Sequence, residues 1–294
     1  MLPLACALTL AAASPAASPA EQLFAERLDP GALDRAIALL TKETAARPDD
    51  APELILLARA EAFWSDLRPD AESVEADARL RAGIRAGGAA LAITSPAYAK
   101  ALAAGRTLLQ ALGELEPSGA LALYWIAADQ HRLASRHGLA WLLLEAPELR
   151  ALFERVAALA PATFHGGAYR HLAELDLALP AGFQATLAGA RSALDEAERL
   201  GPTFLGNSLV WAERYAVKTQ DVPLFRRRLG QILSAPEGLD PSLGPENELA
   251  RRRARALLAE EGELFTRAAI EAAGVATPPP PVEKPDGGSA GKRP

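Results

Sequence analysis

The sequence predicts an all-α protein, a helical solenoid of degenerate helix pairs. Three observations carry that reading. Half of the 294 residues are hydrophobic while only 5% are aromatic, and the dominant alanine and leucine favour helix over strand. Apolar residues recur at helical spacing almost from end to end, as at Leu54, Leu57, Ala58 and Ala62, and no window alternates with period two between turns. Prolines punctuate the runs: Pro48, Pro96, Pro161 and Pro202 each stand just past a helix end, where proline cannot continue the helix.

Each element follows from local signals. A turn at Leu28-Asp29-Pro30-Gly31 precedes a helix over about 32–46, which Arg47-Pro48-Asp49-Asp50 stops. The next helix spans about 51–67 and ends at Arg68-Pro69-Asp70. A long helix then runs to about Ile93, with a break or bend expected near Gly87-Gly88. Ser95 and Pro96 mark a clean start, cap and first helical position respectively. Helices follow at about 97–113, 119–135, 147–159, 166–178, 184–199, 205–218 and 222–234, and a last long one from about Pro245 to Ala273. Between Phe164 and Phe204 stand a helix, a Leu-Pro-Ala-Gly turn, a second helix and a Gly-Pro stop. The step from Pro161 to Pro202 is about 41 residues, longer than the 34 or so of a tetratricopeptide unit, so the array is an expanded, degenerate version of that repeat.

The two ends differ from the body. Residues 1–20 form an apolar run followed by small residues, the hydrophobic and cleavage parts of an export signal without its basic start. A basic segment upstream of Met1 is therefore expected. Two processing routes compete: cleavage near Ala13 to Ala20, or lipidation of Cys6, where Leu4-Ala5-Cys6 fits the end of a lipobox and Pro3 departs from it. Cys6 is the only cysteine, so the body, residues 21–275, has no disulfide and no thiolate metal site. Residues 276–294 are Pro/Gly-rich and read as a disordered tail. No later segment is an uninterrupted apolar run of the length that spans a bilayer.

Charge and motifs exclude several functions. A net charge of −6 argues against nucleic acid, and the arginine clusters at 226–228 and 251–253 read as solvated faces with acids nearby. No Gly-x-Ser-x-Gly, dinucleotide or phosphate-loop motif occurs, so no catalytic residue and no cofactor is expected. His131 and His137, and His165 and His171, are each six apart. That spacing turns each pair to different helix faces, and no metal site is expected. Gly166-Gly167 opens a helix carrying Tyr169 and Arg170, and Tyr124-Trp125 is a second aromatic pair. The glycines read either as a tight joint between units or as the edge of a cavity or partner surface exposing Tyr169 and Arg170. Trp125 reads as core or as a groove wall.

These residues also carry a resemblance. Ala122-Leu-Tyr124-Trp125-Ile-Ala-Ala-Asp, Gly166-Gly167-Ala-Tyr169-Arg170 with Leu179-Pro180, then Phe204, Ala212, Tyr215, and Glu248-Leu-Ala-Arg-Arg-Arg-Ala-Arg-Ala-Leu-Leu with Phe265 stand in one ordered set over roughly 20–270. The set resembles the T component of the tetratricopeptide-associated TRAP transporters (TatT). The resemblance implies an exported periplasmic lipoprotein of cryptic tetratricopeptide-like units. It implies association with the transporter's solute-binding protein, a homotrimer, and an apolar channel through each protomer for a small hydrophobic ligand. Tyr124, Trp125, Gly166, Gly167, Tyr169 and Arg170 are then the candidate ligand or partner surface. The Pro-rich tail is not part of the resemblance. The alternative reading is a general envelope scaffold mediating protein–protein assembly.

Overall fold

The computed structural model describes residues 17–180 and 185–274. Among them all regular structure is helical and no strand forms. The first helix, α1 (Pro19–Ala25), is closed by a capping box: Ser18 accepts from the Glu21 backbone N–H, and the Glu21 carboxylate accepts from the Ser18 N–H. Ala20 and Phe24 of this helix are already buried in the core. The helical body therefore starts at Pro19, just ahead of the boundary expected at residue 21. Cys6 with its two processing routes, the Ala-Gly half of the Leu-Pro-Ala-Gly turn and the tail at 276–294 lie outside the described residues.

The next helices are α2 (Ala32–Ala46), α3 (Ala51–Leu67) and α4 (Ser73–Thr94). Asp50 caps α3 by accepting from the Glu53 N–H. The single helix expected at 97–113 is instead α5 (Pro96–Ala103) and α6 (Leu108–Ala111). Gly105 at φ 83° breaks it, and Thr107 caps the second piece. Two long helices follow, α7 (Ala120–Arg136) and α8 (Leu139–Leu159). The second begins at Leu139, earlier than expected, and carries Pro147 inside. Helix α4 is unbroken at Gly87-Gly88. Gly87 is buried, and a Cβ there would meet the Ile126 side chain of α7 at 2.7 Å. Glycine there permits close helix approach.

The second half contains α9 (Gly167–Ala178), α10 (Leu187–Leu200) and α11 (Leu205–Val210). The last of these passes through a π-helical stretch, Trp211–Ala216, into α12 (Val217–Thr219). Then come α13 (Val222–Ser234), α14 (Gly244–Ala259), α15 (Glu261–Leu264) and α16 (Arg267–Gly274). The last three replace the one long helix expected from Pro245. The arginine clusters pair partly with local acids, Arg252 with Glu248 and Arg253 with Glu260, and partly across helices, Arg226 with Glu261, Arg228 with Glu198 and Arg253 with Glu213.

Neighbours in sequence pack on one another, α2 on α3, α3 on α4, α4 on α7, α7 on α8, α8 on α9 and α9 on α10. Two cores result. One gathers Phe24, Leu40, Phe63, Tyr124, Leu149 and Phe153, the other Leu194, Trp211, Phe225, Leu229, Leu257 and Phe265. Helix α9 belongs to both: Ala168 and Leu175 face the first core, Ala173 and Leu177 the second. The ends also meet. Glu246 at the start of α14 accepts from Arg27, just past α1, and from Arg59 of α3 at 2.7 Å. These partners lie 219 and 187 residues apart in the chain, so the helices curl back and leave an interior between α3, α7, α9, α11 and α14.

Gly167 and Gly88 separate a required glycine from a dispensable one. A Cβ at Gly167 would lie 2.6 Å from the buried Tyr124 ring, whereas none would be touched at exposed Gly88 in the middle of α4. In urea denaturation followed by circular dichroism, Gly167→Ala should lose about 1–3 kcal/mol through overpacking, and Gly88→Ala should gain about 0.5–1 kcal/mol.

Candidate functional site

The site grows out of the turn that Pro161 opens. Phe164, His165 and Gly166 have φ values of 41°, 58° and 73°, three consecutive residues in the left-handed region. For Phe and His that conformation costs free energy and persists only when the surroundings hold it. Asn207 of α11 holds it here. Its amide nitrogen lies 3.1, 2.9 and 3.2 Å from the carbonyl oxygens of His165, Ala197 and Gly201. Gly166 meanwhile sits so close to Ala197 that a Cβ would approach the Ala197 backbone to 2.8 Å. The turn thereby carries the Phe164 ring inward, with centroids 4.7 Å from Trp125, 5.6 Å from Tyr124 and 5.4 Å from Phe204.

Arg170 lies one turn into α9 and is 6% exposed. Its Nη2 donates to the Tyr124 hydroxyl at 2.9 Å and its Nη1 to Asn207 Oδ1 at 2.9 Å. The guanidinium stacks 4.6 Å from the Phe204 centroid. Both hydrogen-bond partners are neutral, so the cation is held without a carboxylate.

Trp125, Phe164, Phe204 and Phe63 wall an interior cavity of about 240 Å³. Arg59, Arg132, Arg170 and Arg214 reach it, as do Asp66, Glu174, Glu213 and Glu246. The π-helical stretch supplies Glu213 and Arg214; such a widened turn re-aims side chains and recurs at functional sites. Arg132 is clamped by Asp66 through two bonds of 2.8 and 2.7 Å. The walls are thus aromatic and charged, unlike the apolar channel that the resemblance implies. A wider groove of about 630 Å³ around Trp64 and Arg68 opens at the surface.

Of the six candidate surface residues, Trp125 and Arg170 line this cavity. Tyr124 stands behind Arg170, fully buried. Gly166 and Gly167 form the tight joint, the first against Ala197 and the second against the Tyr124 ring. Tyr169 is half-buried and faces away from the cavity. The sequence reading overlooked Phe204, His171, Glu174 and Arg59.

The histidines pair in a way that spacing within each pair conceals. His131 and His137 point apart, as expected: His137 sits at the surface on Asp77, while His131 is buried. His131 of α7 instead meets His171 of α9, forty residues away, with Nδ1 atoms 3.1 Å apart. His171 Nδ1 also lies 2.7 Å from Glu174 Oε2. Burial pushes His131 down to about 3 and lowers His171 as well, so both rings are neutral at pH 7. Burial would raise the Glu174 carboxyl, but the adjoining His171 ring outweighs it and holds Glu174 below the usual carboxylate range.

Beneath the cavity the packing of α3, α4 and α7 encloses two acids. Asp129 is fully buried with neither carboxylate oxygen hydrogen-bonded among the described residues, and burial raises it well above its ordinary value. Gly83 of α4 leaves the room that this side chain occupies. Burial likewise raises Glu61 to about 7, although Arg79 lies 3.5 Å away.

A family model for the TRAP transporter T-component matches residues 66–265. The chain belongs to that family. The match takes in α4 to α15, and with them Trp125, the Phe164 turn, Arg170, Asn207 and Glu246. The T component is thereby an accessory part of a TRAP transporter, a transport function. No curated protein matches the chain. Among the described residues no helix of the T component is long and apolar enough to cross a membrane.

Glu61 sets a measurable pH dependence. Its folded value of about 7 exceeds the ordinary 4.5, so the folded state holds a proton that the unfolded chain releases. Its contribution to stability is present below pH 4.5 and is lost as pH rises to about 7. Glu61→Gln should flatten the stability–pH profile between those values. Above pH 7 it should stabilise the protein by about 2–3 kcal/mol. Equal slopes for variant and wild type in chemical denaturation would exclude Glu61 as the source.

Proposed function

We propose that this T component is a non-enzymatic periplasmic accessory subunit that binds the solute-binding protein of its TRAP transporter and holds a small hydrophobic ligand in its interior. Family membership supports the transporter assignment. The observation that carries the ligand half is the cavity itself: four aromatic rings and four arginines around about 240 Å³. Aromatic walls with charged groups fixed among them, four arginines and four carboxylates here, suit a ligand that is apolar in one part and charged or polar in another. Arg170, held by neutral partners, suits a ligand with an apolar body and an acidic or polar end. The ligand passes between the T component and its partner, and the subunit acts as a trimer at the membrane, attached through a lipid on Cys6.

Contact with the solute-binding protein uses the start of α8. There Leu139, Trp141 and Leu144 are exposed, Leu144 at 72%. Large apolar residues exposed together mark an interaction surface, and tryptophan is among the residues that carry most interface binding energy. In pull-downs from cells producing the full transporter, the tagged chain should enrich the solute-binding protein, and Trp141→Ala with Leu144→Asp should reduce that enrichment at least tenfold. Absence of the solute-binding protein from the wild-type pull-down would point instead to a scaffold serving another assembly.

A further inference from the structure

We propose that His131, His171 and Glu174 form a divalent metal site of the zinc class, with a fourth position open to the interior cavity. The three donors come from two helices that the first core locks together: His131 from α7, and His171 and Glu174 one turn apart on α9. Their atoms His131 Nδ1, His171 Nδ1 and Glu174 Oε2 are separated by 3.1, 2.7 and 3.6 Å. A tetrahedral zinc with bonds of about 2.0–2.1 Å places its ligands about 3.3 Å apart, so the three edges bracket that value. Two imidazoles and one carboxylate are also the donor set of open zinc sites that keep one position for water or ligand.

Hydrogen bonding alone leaves this arrangement unfinished. As neutral imidazoles the two rings carry one N–H each. A proton on His171 Nδ1 serves Glu174 and leaves the His131 Nδ1 lone pair without a donor aimed at it. A proton on His131 Nδ1 leaves the His171 lone pair against the carboxylate at 2.7 Å. A cation at the centre takes all three lone pairs at once. The outer shell fits as well. With Nδ1 given to a metal, His171 carries its proton on Nε2, which lies 3.5 Å from the Tyr124 hydroxyl, and Tyr124 is itself fixed by Arg170. An outer partner of this kind sets the ring's tautomer and orientation. His131 packs edge-on to Phe153 and His171 stacks on it at 4.7 Å, which locks both rings.

The open side is defined by the cavity wall. His171 and Glu174 line the cavity and the Glu174 side chain is a quarter exposed, while His131 is shut behind them. The charge balance also bears on the ligand. Arg132, Arg170 and Arg214 face the same space; Asp66 neutralises the first, while Glu213 is engaged by Arg253. A metal with one carboxylate adds one positive charge there, so the fourth position favours an anionic oxygen, a hydroxide or a carboxylate, between the ion and Arg170. This assignment stands on the geometry of α7 and α9 and is independent of which protein the T component binds.

The test uses the full chain with Cys6→Ser, which removes the remaining soft ligand. After chelator stripping, cobalt(II) is titrated and visible absorption recorded, then zinc is added in competition. One equivalent of four-coordinate cobalt per chain, displaced by zinc, is expected. His131→Ala and His171→Ala should abolish the band, and Glu174→Gln should weaken zinc binding at least tenfold. His137→Ala, whose ring lies at the surface, should bind as wild type. Circular dichroism checks that each variant remains helical; where one unfolds, the wild-type spectrum and the Glu174→Gln affinity decide. No cobalt band in the wild type, or binding that survives both histidine substitutions, overturns the assignment.

Discussion

One carboxylate makes an interior out of a row of helices. Glu246 at the start of α14 holds Arg27 and Arg59, and Arg27 is 3% exposed. Consecutive helix pairs by themselves produce an open curved array. The clamp ties the start of α14 to α3 and to the residues just past α1, and the cavity lies between α3, α7, α9, α11 and α14. The net stability from forming a buried ion pair is small, yet removing one member is costly because the other charge stays buried. Here two arginines would be stranded, and both stack over Phe24, so the clamp and the apolar packing around it reinforce each other.

Inside that closed body, Arg170 and Asn207 take on the same task at shorter range. Asn207 fixes the left-handed turn at Phe164–Gly166 and accepts from Arg170. Arg170 in turn reaches Tyr124 of the first core. The strain of the turn, the aromatic wall and the orientation of the Arg170 guanidinium, held by two neutral partners, are therefore a single arrangement. It also fixes His171, one residue beyond Arg170 on α9, next to His131.

Much of this was legible in the sequence, because helices announce themselves locally. The ends of α2 and α3 follow from Pro48 and Pro69, and α9 from Gly166 and the Leu179-Pro180 stop. The family was legible too, through the ordered aromatic and glycine motifs that the match to residues 66–265 covers. The elements misjudged were those where tertiary packing overrides local signals: Pro147 inside α8, the unbroken α4 at Gly87, and the divided last helix. The cavity was half legible. Trp125, Arg170 and Phe204 belong to sequence motifs, whereas Glu174 carries no motif of its own and Arg59 lies far from them in the chain and joins them only in the folded body. Histidine spacing misled for a related reason. Counting along one helix separates His131 from His137, while the meaningful interval is the forty residues to His171, close to the length of one helix-pair unit.

The Glu246 clamp holds α1, α3 and α14 around the cavity, and hydrogen exchange by mass spectrometry on Glu246→Gln reads this out. Faster exchange is expected in α1, in α3 around Arg59, in α14 and in the Phe164 turn together, with the outer helices α5 and α6 unchanged. Faster exchange confined to α14, with α1, α3 and the turn as protected as in the wild type, would contradict it.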